Sequence, residues 1–172
     1  STIFPALAQE KTVNVYNWSD YIDPTVLEDF TKETGIKVVY DVYDKNETVE
    51  AKLLAGKSGY DVIVPSASFV QRFVEQKLLL PLDNAKLPHL KNQMPEMQKS
   101  IATYDPGNRY VVPYMWGTIG IGVNVKKAKE ALGDISLNTW DVAFDPKLVS
   151  RLKACGVHML DAPEDVLPAA LR

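Results

Sequence analysis

The 172-residue sequence carries 19 basic and 22 acidic side chains, and 46% of its residues are hydrophobic, which is ordinary for one globular domain or slightly more. Its net charge of −3 argues against a nucleic-acid-binding protein, because such proteins usually present a basic face. Its single cysteine, Cys155, excludes an internal disulfide and a cysteine metal cluster, and no stretch reaches the roughly 18 apolar residues that span a membrane.

The first ten residues allow two interpretations. They begin apolar, have small side chains at Ala6 and Ala8, and then turn polar, which is typical of the end of a secretory signal peptide. A frayed terminus has a similar composition. We therefore expect residues 1–10 to be a signal-peptide remnant or a disordered tail.

Three short runs rich in β-branched residues follow. Residues 12–16, 36–42 and 60–64 are typical of strands, and their composition suits buried parallel strands. Helical patterns separate them and follow the last one. This alternation predicts an α/β fold, in which a parallel-rich sheet is flanked by helices.

Local signals mark the ends of the predicted helices. Asp23, followed by a proline, caps the first helix, and Gly35 ends it. Asn46 is predicted to cap the second helix. Ser66 or Ser68 is predicted to cap the third, which runs to about residue 76.

The rest of the chain is predicted to be less regular. A helix is expected at residues 96–102 and a turn at 105–108. Residues 111–124 include three glycines within six residues, which weakens a central strand, so we expect an extended segment that changes direction. Further elements are expected as helices at 125–132, at 147–153 and from 163 onwards, and as a short strand at 157–160.

Polar and aromatic side chains follow the first and third predicted strands. Trp18, Ser19, Asp20 and Tyr21 come after the first strand, and Ser66 follows the third. Ligands of open α/β sheets bind outside the carboxyl ends of the strands. An aromatic ring beside a carboxylate suits a cationic amine, because the ring face attracts the cation and the carboxylate accepts its hydrogen bonds. The alternative is that Trp18 belongs to the core and Asp20 caps the following helix.

Catalytic and cofactor motifs are missing from the sequence. Ser66 and Ser68 lie outside any G-x-S-x-G elbow, and neither His89 nor His158 has a motif around it. The glycines at residues 117–122 do not fit a dinucleotide fingerprint, and there is no H-E-x-x-H motif, EF-hand loop or P-loop. We therefore expect a protein without enzymatic activity, cofactor or metal.

Four blocks of the sequence resemble the putrescine/spermidine-binding proteins of polyamine ABC transporters. The blocks are VYNWSDY at 15–21, ETGIKVVYD at 33–41, YDVIVPS at 60–66 and PYMWGT at 113–118. The resemblance extends from about residue 11 to residue 172. It implies a periplasmic, two-lobed protein that closes around a polyamine, delivers it to an inner-membrane ABC permease and catalyses no reaction.

The resemblance also implies which residues contact the ligand. In the first lobe these are Trp18, Ser19, Asp20, Tyr21 and Ser66. In the second lobe the family has an acidic contact after a run like DAPE, and Asp165 occupies that position here. The family more often has glutamate there, so the shorter aspartate side chain reaches less far toward a ligand.

The resemblance covers only part of the family's length. It implies a first lobe at residues 11–114, a crossover or hinge at 115–124 and an incomplete second lobe at 125–172. The main hypothesis is a polyamine-binding component of an importer. The alternative is a truncated, non-binding paralogue that acts as a structural or interaction protein, since unpaired apolar faces favour a homodimer that completes the missing half.

Overall fold

The computed structural model describes residues 11–171 and divides them into two compact units, with the boundary between Met115 and Trp116. The predicted signal-peptide remnant or tail at residues 1–10 lies outside the described residues. Over the described range, no helix is both long enough and apolar enough to cross a lipid bilayer.

The first unit is built on a parallel sheet. Its elements are β1 (Thr12–Trp18), α1 (Pro24–Thr34), β2 (Lys37–Tyr43), α2 (Asn46–Leu54), β3 (Val62–Ile63), α3 (Ala67–Glu75) and α4 (Pro95–Ile101), with short 3-10 helices at Asn84–Lys86 and Pro88–Asn92. The strand order is β2-β1-β3, and both pairings are parallel. The predicted α/β fold with a parallel sheet is confirmed. The third strand is shorter than predicted, because only Val62 and Ile63 pair with β1.

Helix α1 begins and ends where its sequence predicts. The Asp23 carboxylate accepts a hydrogen bond from the Thr25 backbone N–H at 2.9 Å, and this bond lowers the pKa of Asp23. Gly35 ends the helix with φ of 68°, a left-handed conformation that glycine adopts without steric cost.

Of the two other predicted caps, Ser66 occupies the N-cap position of α3, whereas Asn46 does not occupy that of α2. Asn46 is the first residue of α2 rather than its cap, and the preceding Lys45 makes no side-chain capping bond. Ser66 precedes α3, but its side chain makes no capping bond either, and Ser68 lies inside the helix. The reason is that the Asn46 and Ser66 side chains bond to each other.

The core of the first unit is aromatic. The buried cluster consists of Tyr16, Tyr43, Val49, Phe69 and Phe73, which come from β1, β2, α2 and α3. Phe73 and Val49 are fully enclosed. Tyr16 and Tyr43 meet edge to face with ring centroids 4.8 Å apart, a favoured geometry for aromatic pairs. Helices α2 and α3 thus cover one face of the sheet.

The second unit is helical in its described part. It contains α5 (Val125–Leu132), α6 (Asp141–Phe144), α7 (Pro146–Leu152) and α8 (Pro163–Ala170), with a 3-10 helix at Lys153–Cys155. The predicted strand at residues 157–160 is wrong. Those residues lie outside any strand because the described part of this unit offers no strand to pair with. Residues 111–124, which span the boundary between the units, form neither helix nor strand.

Candidate functional site

The loop after β1 lies at the carboxyl edge of the sheet. The Ser19 backbone N–H donates to the Tyr43 carbonyl at 3.1 Å, and the Ser19 hydroxyl lies 3.5 Å from the same oxygen. The loop is therefore joined to the end of β2 as well as to β1. Asp20, at its tip, is exposed and has a φ of 61°.

Trp18 is half-buried at the last position of β1. Its ring packs on Tyr43 with centroids 4.7 Å apart and lies 6.1 Å from the Tyr21 ring. Trp18 also packs against the buried cluster, so part of its side chain belongs to the core, as the alternative interpretation predicted. The rest of the side chain remains accessible. The alternative role for Asp20 as a helix cap is wrong, because Asp23 performs that function.

Ser66 is positioned by a reciprocal pair of hydrogen bonds with Asn46. The Ser66 backbone N–H donates to the Asn46 side-chain oxygen at 2.9 Å, and the Asn46 amide nitrogen donates to the Ser66 hydroxyl at 3.0 Å. Asn46 is only 3% exposed, so both of its polar atoms are satisfied within the protein. The pair fixes the turn between β3 and α3.

Tyr43, which is not among the site residues predicted from the sequence, connects the two halves of this edge. Its ring contacts Trp18, its carbonyl accepts from Ser19, and its hydroxyl donates to the Val64 carbonyl, two residues before Ser66. Burial raises the pKa of Tyr43, so its hydroxyl remains a neutral donor. One signal was available: Tyr43 ends its strand directly opposite Trp18, as an aromatic residue at the same edge.

Asp20 places a carboxylate at this edge. Among the described residues, no cationic side chain forms an ion pair with Asp20, whereas Asp29 on α1 pairs with Lys32 at 3.3 Å. An exposed carboxylate in the same loop as a partly accessible indole ring is a combination that favours an ammonium group. Asp20 can therefore bind a cation without first releasing a basic side chain of residues 11–171.

Asp165 belongs to the second unit, where it lies in the first turn of α8. It is half-buried, and burial together with the neighbouring Glu164 carboxylate raises its pKa. The structure therefore brings five of the six predicted contacts to one sheet edge, with Asp165 on a separate unit. Among residues 11–171, no cluster of three or more His, Cys, Asp or Glu side chains suits a metal ion.

Comparison with known proteins identifies the family. The profile of the bacterial extracellular solute-binding proteins matches residues 16–165. The chain belongs to this family. Its relatives include the putrescine-binding periplasmic proteins SpuD of Pseudomonas aeruginosa, 56% identical, and PotF of Escherichia coli, 51% identical. Each match covers 95% of this chain and 45% of the relative, so the chain spans about half the length of these relatives.

Solved structures agree with the sequence matches. A putative spermidine/putrescine ABC transporter protein of Listeria monocytogenes superimposes with a TM-score of 0.71 at 42% identity, over 80% of this chain and 41% of the other. The TpPotD lipoprotein of Treponema pallidum gives a TM-score of 0.68 at 36% identity, over 77% and 40% of the two chains. The resemblance to polyamine-binding proteins and the binding-protein fold are both confirmed.

Proposed function

We propose that this chain forms one wall of a polyamine-binding cleft, in the periplasmic solute-binding component of a polyamine ABC importer. The observation that carries the proposal is the exposed Asp20 carboxylate, which has no ion-pair partner among residues 11–171 and lies in the loop that follows the half-buried Trp18 at the carboxyl edge of the sheet. Relatives that are 56% and 51% identical are named as putrescine-binding, which supports a diamine as the ligand.

Each residue of the wall has a role that suits an alkyl diamine. Asp20 accepts charge-assisted hydrogen bonds from one terminal ammonium group. The accessible part of the Trp18 ring packs on the methylene chain or attracts the cation. The hydroxyls of Ser19 and Ser66 accept further hydrogen bonds from the ammonium, and Tyr21 adds aromatic surface beside Trp18. The mechanism is recognition without chemistry, followed by delivery to the permease.

We assign the lobes along the chain in the same proposal. Residues 11–114 are the first lobe, 115–124 the crossover or hinge, and 125–172 belong to the second lobe. Asp165 is the proposed contact of the second lobe. A diamine carries two charges, so a second carboxylate suits its other ammonium group.

The second candidate function is an interaction protein that forms a homodimer. The observation that favours it is the apolar surface of the second unit, where Met159, Leu160 and Leu167 are 52%, 59% and 60% exposed. A large exposed apolar patch is typical of a protein–protein interaction surface. In this alternative, the second copy covers that surface and no polyamine binds.

Titration with putrescine and spermidine tests the first candidate. We expect amide chemical shifts of residues 18–21 and of Ser66 to move with added diamine, and Asp20→Asn to abolish the shifts. Asp29→Asn is the matched control, because it removes an exposed carboxylate of the same unit that lies on α1. Shifts that survive in Asp20→Asn would disprove the site, and a dimer mass by light scattering without any shifts would favour the second candidate.

A further inference from the structure

The loop that carries Asp20 is held by distant segments on both sides. Before Asp20, the Ser19 N–H donates to the Tyr43 carbonyl at 3.1 Å. After Asp20, the Tyr21 carbonyl accepts a hydrogen bond from the Tyr114 hydroxyl. The second bond joins residues that lie 93 positions apart in the sequence. The backbone of Asp20 is therefore enclosed between two long-range hydrogen bonds.

Asp20 needs this support because its backbone is in an unfavourable conformation. A φ of 61° places it in the left-handed region, where a Cβ atom crowds the following carbonyl. Aspartate tolerates the region better than most residues, but a single strained residue persists only where its surroundings fix it. A loop free at Tyr21 would let Asp20 relax to negative φ and turn its carboxylate elsewhere.

Tyr114 contributes little to the core of the first unit. The residue is 51% exposed, and it lies outside the buried cluster. Tyr114 also stands in the last residues of the first unit, in a segment without helix or strand. Its hydroxyl thus ties the loop to the segment through which the chain leaves this unit.

We infer that Tyr114 is a positioning residue of the polyamine site, whose hydroxyl holds the Tyr21 carbonyl and thereby keeps the Asp20 carboxylate in its binding orientation. The inference rests on the proposed function for its consequence in binding. Its structural part, that Tyr114 restrains the loop, does not depend on whether a ligand binds. The two parts are tested by separate measurements.

Hydrogen exchange on the full chain tests the restraint. Tyr114→Phe removes only the hydroxyl, and we expect the Ser19 and Tyr21 amides to exchange faster by about two- to tenfold, the range expected for loss of one hydrogen bond. Tyr104→Phe is the control, because Tyr104 is a half-buried tyrosine of the same unit. Unchanged exchange at these amides would overturn the inference, and so would a uniform rise across β1 and β2, which indicates general destabilisation.

Binding tests whether Tyr114 acts through Asp20. We expect Tyr114→Phe to weaken putrescine binding by about two- to tenfold and to move the Asp20 amide resonance of the ligand-free chain, whereas Tyr104→Phe leaves both unchanged. Weaker binding with an unchanged Asp20 resonance would overturn the positioning role. If the unmodified chain binds no putrescine, the proposed function fails, and the exchange measurement alone decides whether Tyr114 restrains the loop.

Discussion

The first unit buries large aromatic side chains in its core, whereas the residues that the second unit buries are mostly small. Tyr16, Tyr43, Phe69 and Phe73 are each less than 9% exposed in the first unit. The buried hydrophobic residues of the second are Ala128, Leu132, Val142 and Ala169, mostly small. The difference shows that the sheet organises the core, because its strands bring side chains from distant segments onto one face. The short helices of the second unit do not bring distant segments together in this way.

The same difference explains why the candidate site is well defined in the first unit alone. The parallel strands end at one edge, so loops that are distant in sequence meet there. Asp165, by contrast, lies on α8, a helix in which one residue, Ala169, is buried. We expect the geometry of the first-unit contacts to be less sensitive to substitutions elsewhere than that of Asp165.

The largest expected effect is loss of the first unit's core by Phe73→Ala. Phe73 is fully buried, so the substitution leaves a cavity and lowers the free energy of unfolding by about 3–5 kcal/mol. Phe30→Ala is the control, since Phe30 is 39% exposed on α1, and we expect about 1 kcal/mol there. Urea denaturation followed by circular dichroism measures both. Equal losses would mean that the aromatic cluster is not the main source of stability.

A smaller effect is expected from Leu132→Ala in the second unit. Leu132 is 3% exposed, but its unit buries few large side chains, so we expect a loss near 2 kcal/mol, the low end for such substitutions. Amide exchange in α5 measures it, with Leu171→Ala, 87% exposed, as the control. A loss as large as that of Phe73→Ala would contradict the contrast between the units.

Asn46→Ala sharpens the comparison at the site itself. The substitution removes both hydrogen bonds to Ser66 and leaves its N–H without a partner, which costs about 1–3 kcal/mol. Asn92→Ala, on an exposed 3-10 helix, is the control. Thermal unfolding of the variants gives the stability, and the Ser66 amide resonance reports the turn. A Ser66 resonance unchanged in Asn46→Ala would show that the pair does not fix the turn.

The last effect is on pH dependence. Burial raises the pKa of Tyr43 above its value in the unfolded chain, so the neutral phenol stabilises the fold below about pH 10, and this contribution is lost as pH rises further. Absorbance at 295 nm should show a late-titrating group that disappears in Tyr43→Phe and persists in Tyr104→Phe. Ionisation of all tyrosines near pH 10 before any unfolding would contradict the burial argument.

The sequence predicted correctly those helix ends that are set by the residue at the end itself. Asp23 and Gly35 mark α1 because the capping and left-handed conformations are properties of single residues. The strands at 60–64 and 157–160 were harder, since a strand exists only where a partner pairs with it. The first is shortened to Val62–Ile63 by its pairing with β1, and the second has no partner among the described residues.

The site was predicted in the same uneven way. The strand-edge rule and the aromatic-carboxylate combination located Trp18 and Asp20, because both depend on topology and on residue type. The hydrogen bonds of Asn46 to Ser66 and of Tyr114 to Tyr21 join segments 20 and 93 residues apart. Such pairs have no local pattern, so sequence periodicity does not indicate them, and the predicted capping role of Asn46 is wrong.

The central claim is that the Trp18–Asp20 edge binds a diamine. Intermolecular nuclear Overhauser effects in the putrescine complex of the full chain test it most directly. We expect contacts between the ligand methylene protons and the Trp18 indole, and we expect these contacts to be lost in Asp20→Asn and kept in Asp29→Asn. Bound putrescine whose contacts are confined to the stacked rings of Tyr16 and Tyr60, 4.4 Å apart, would contradict it.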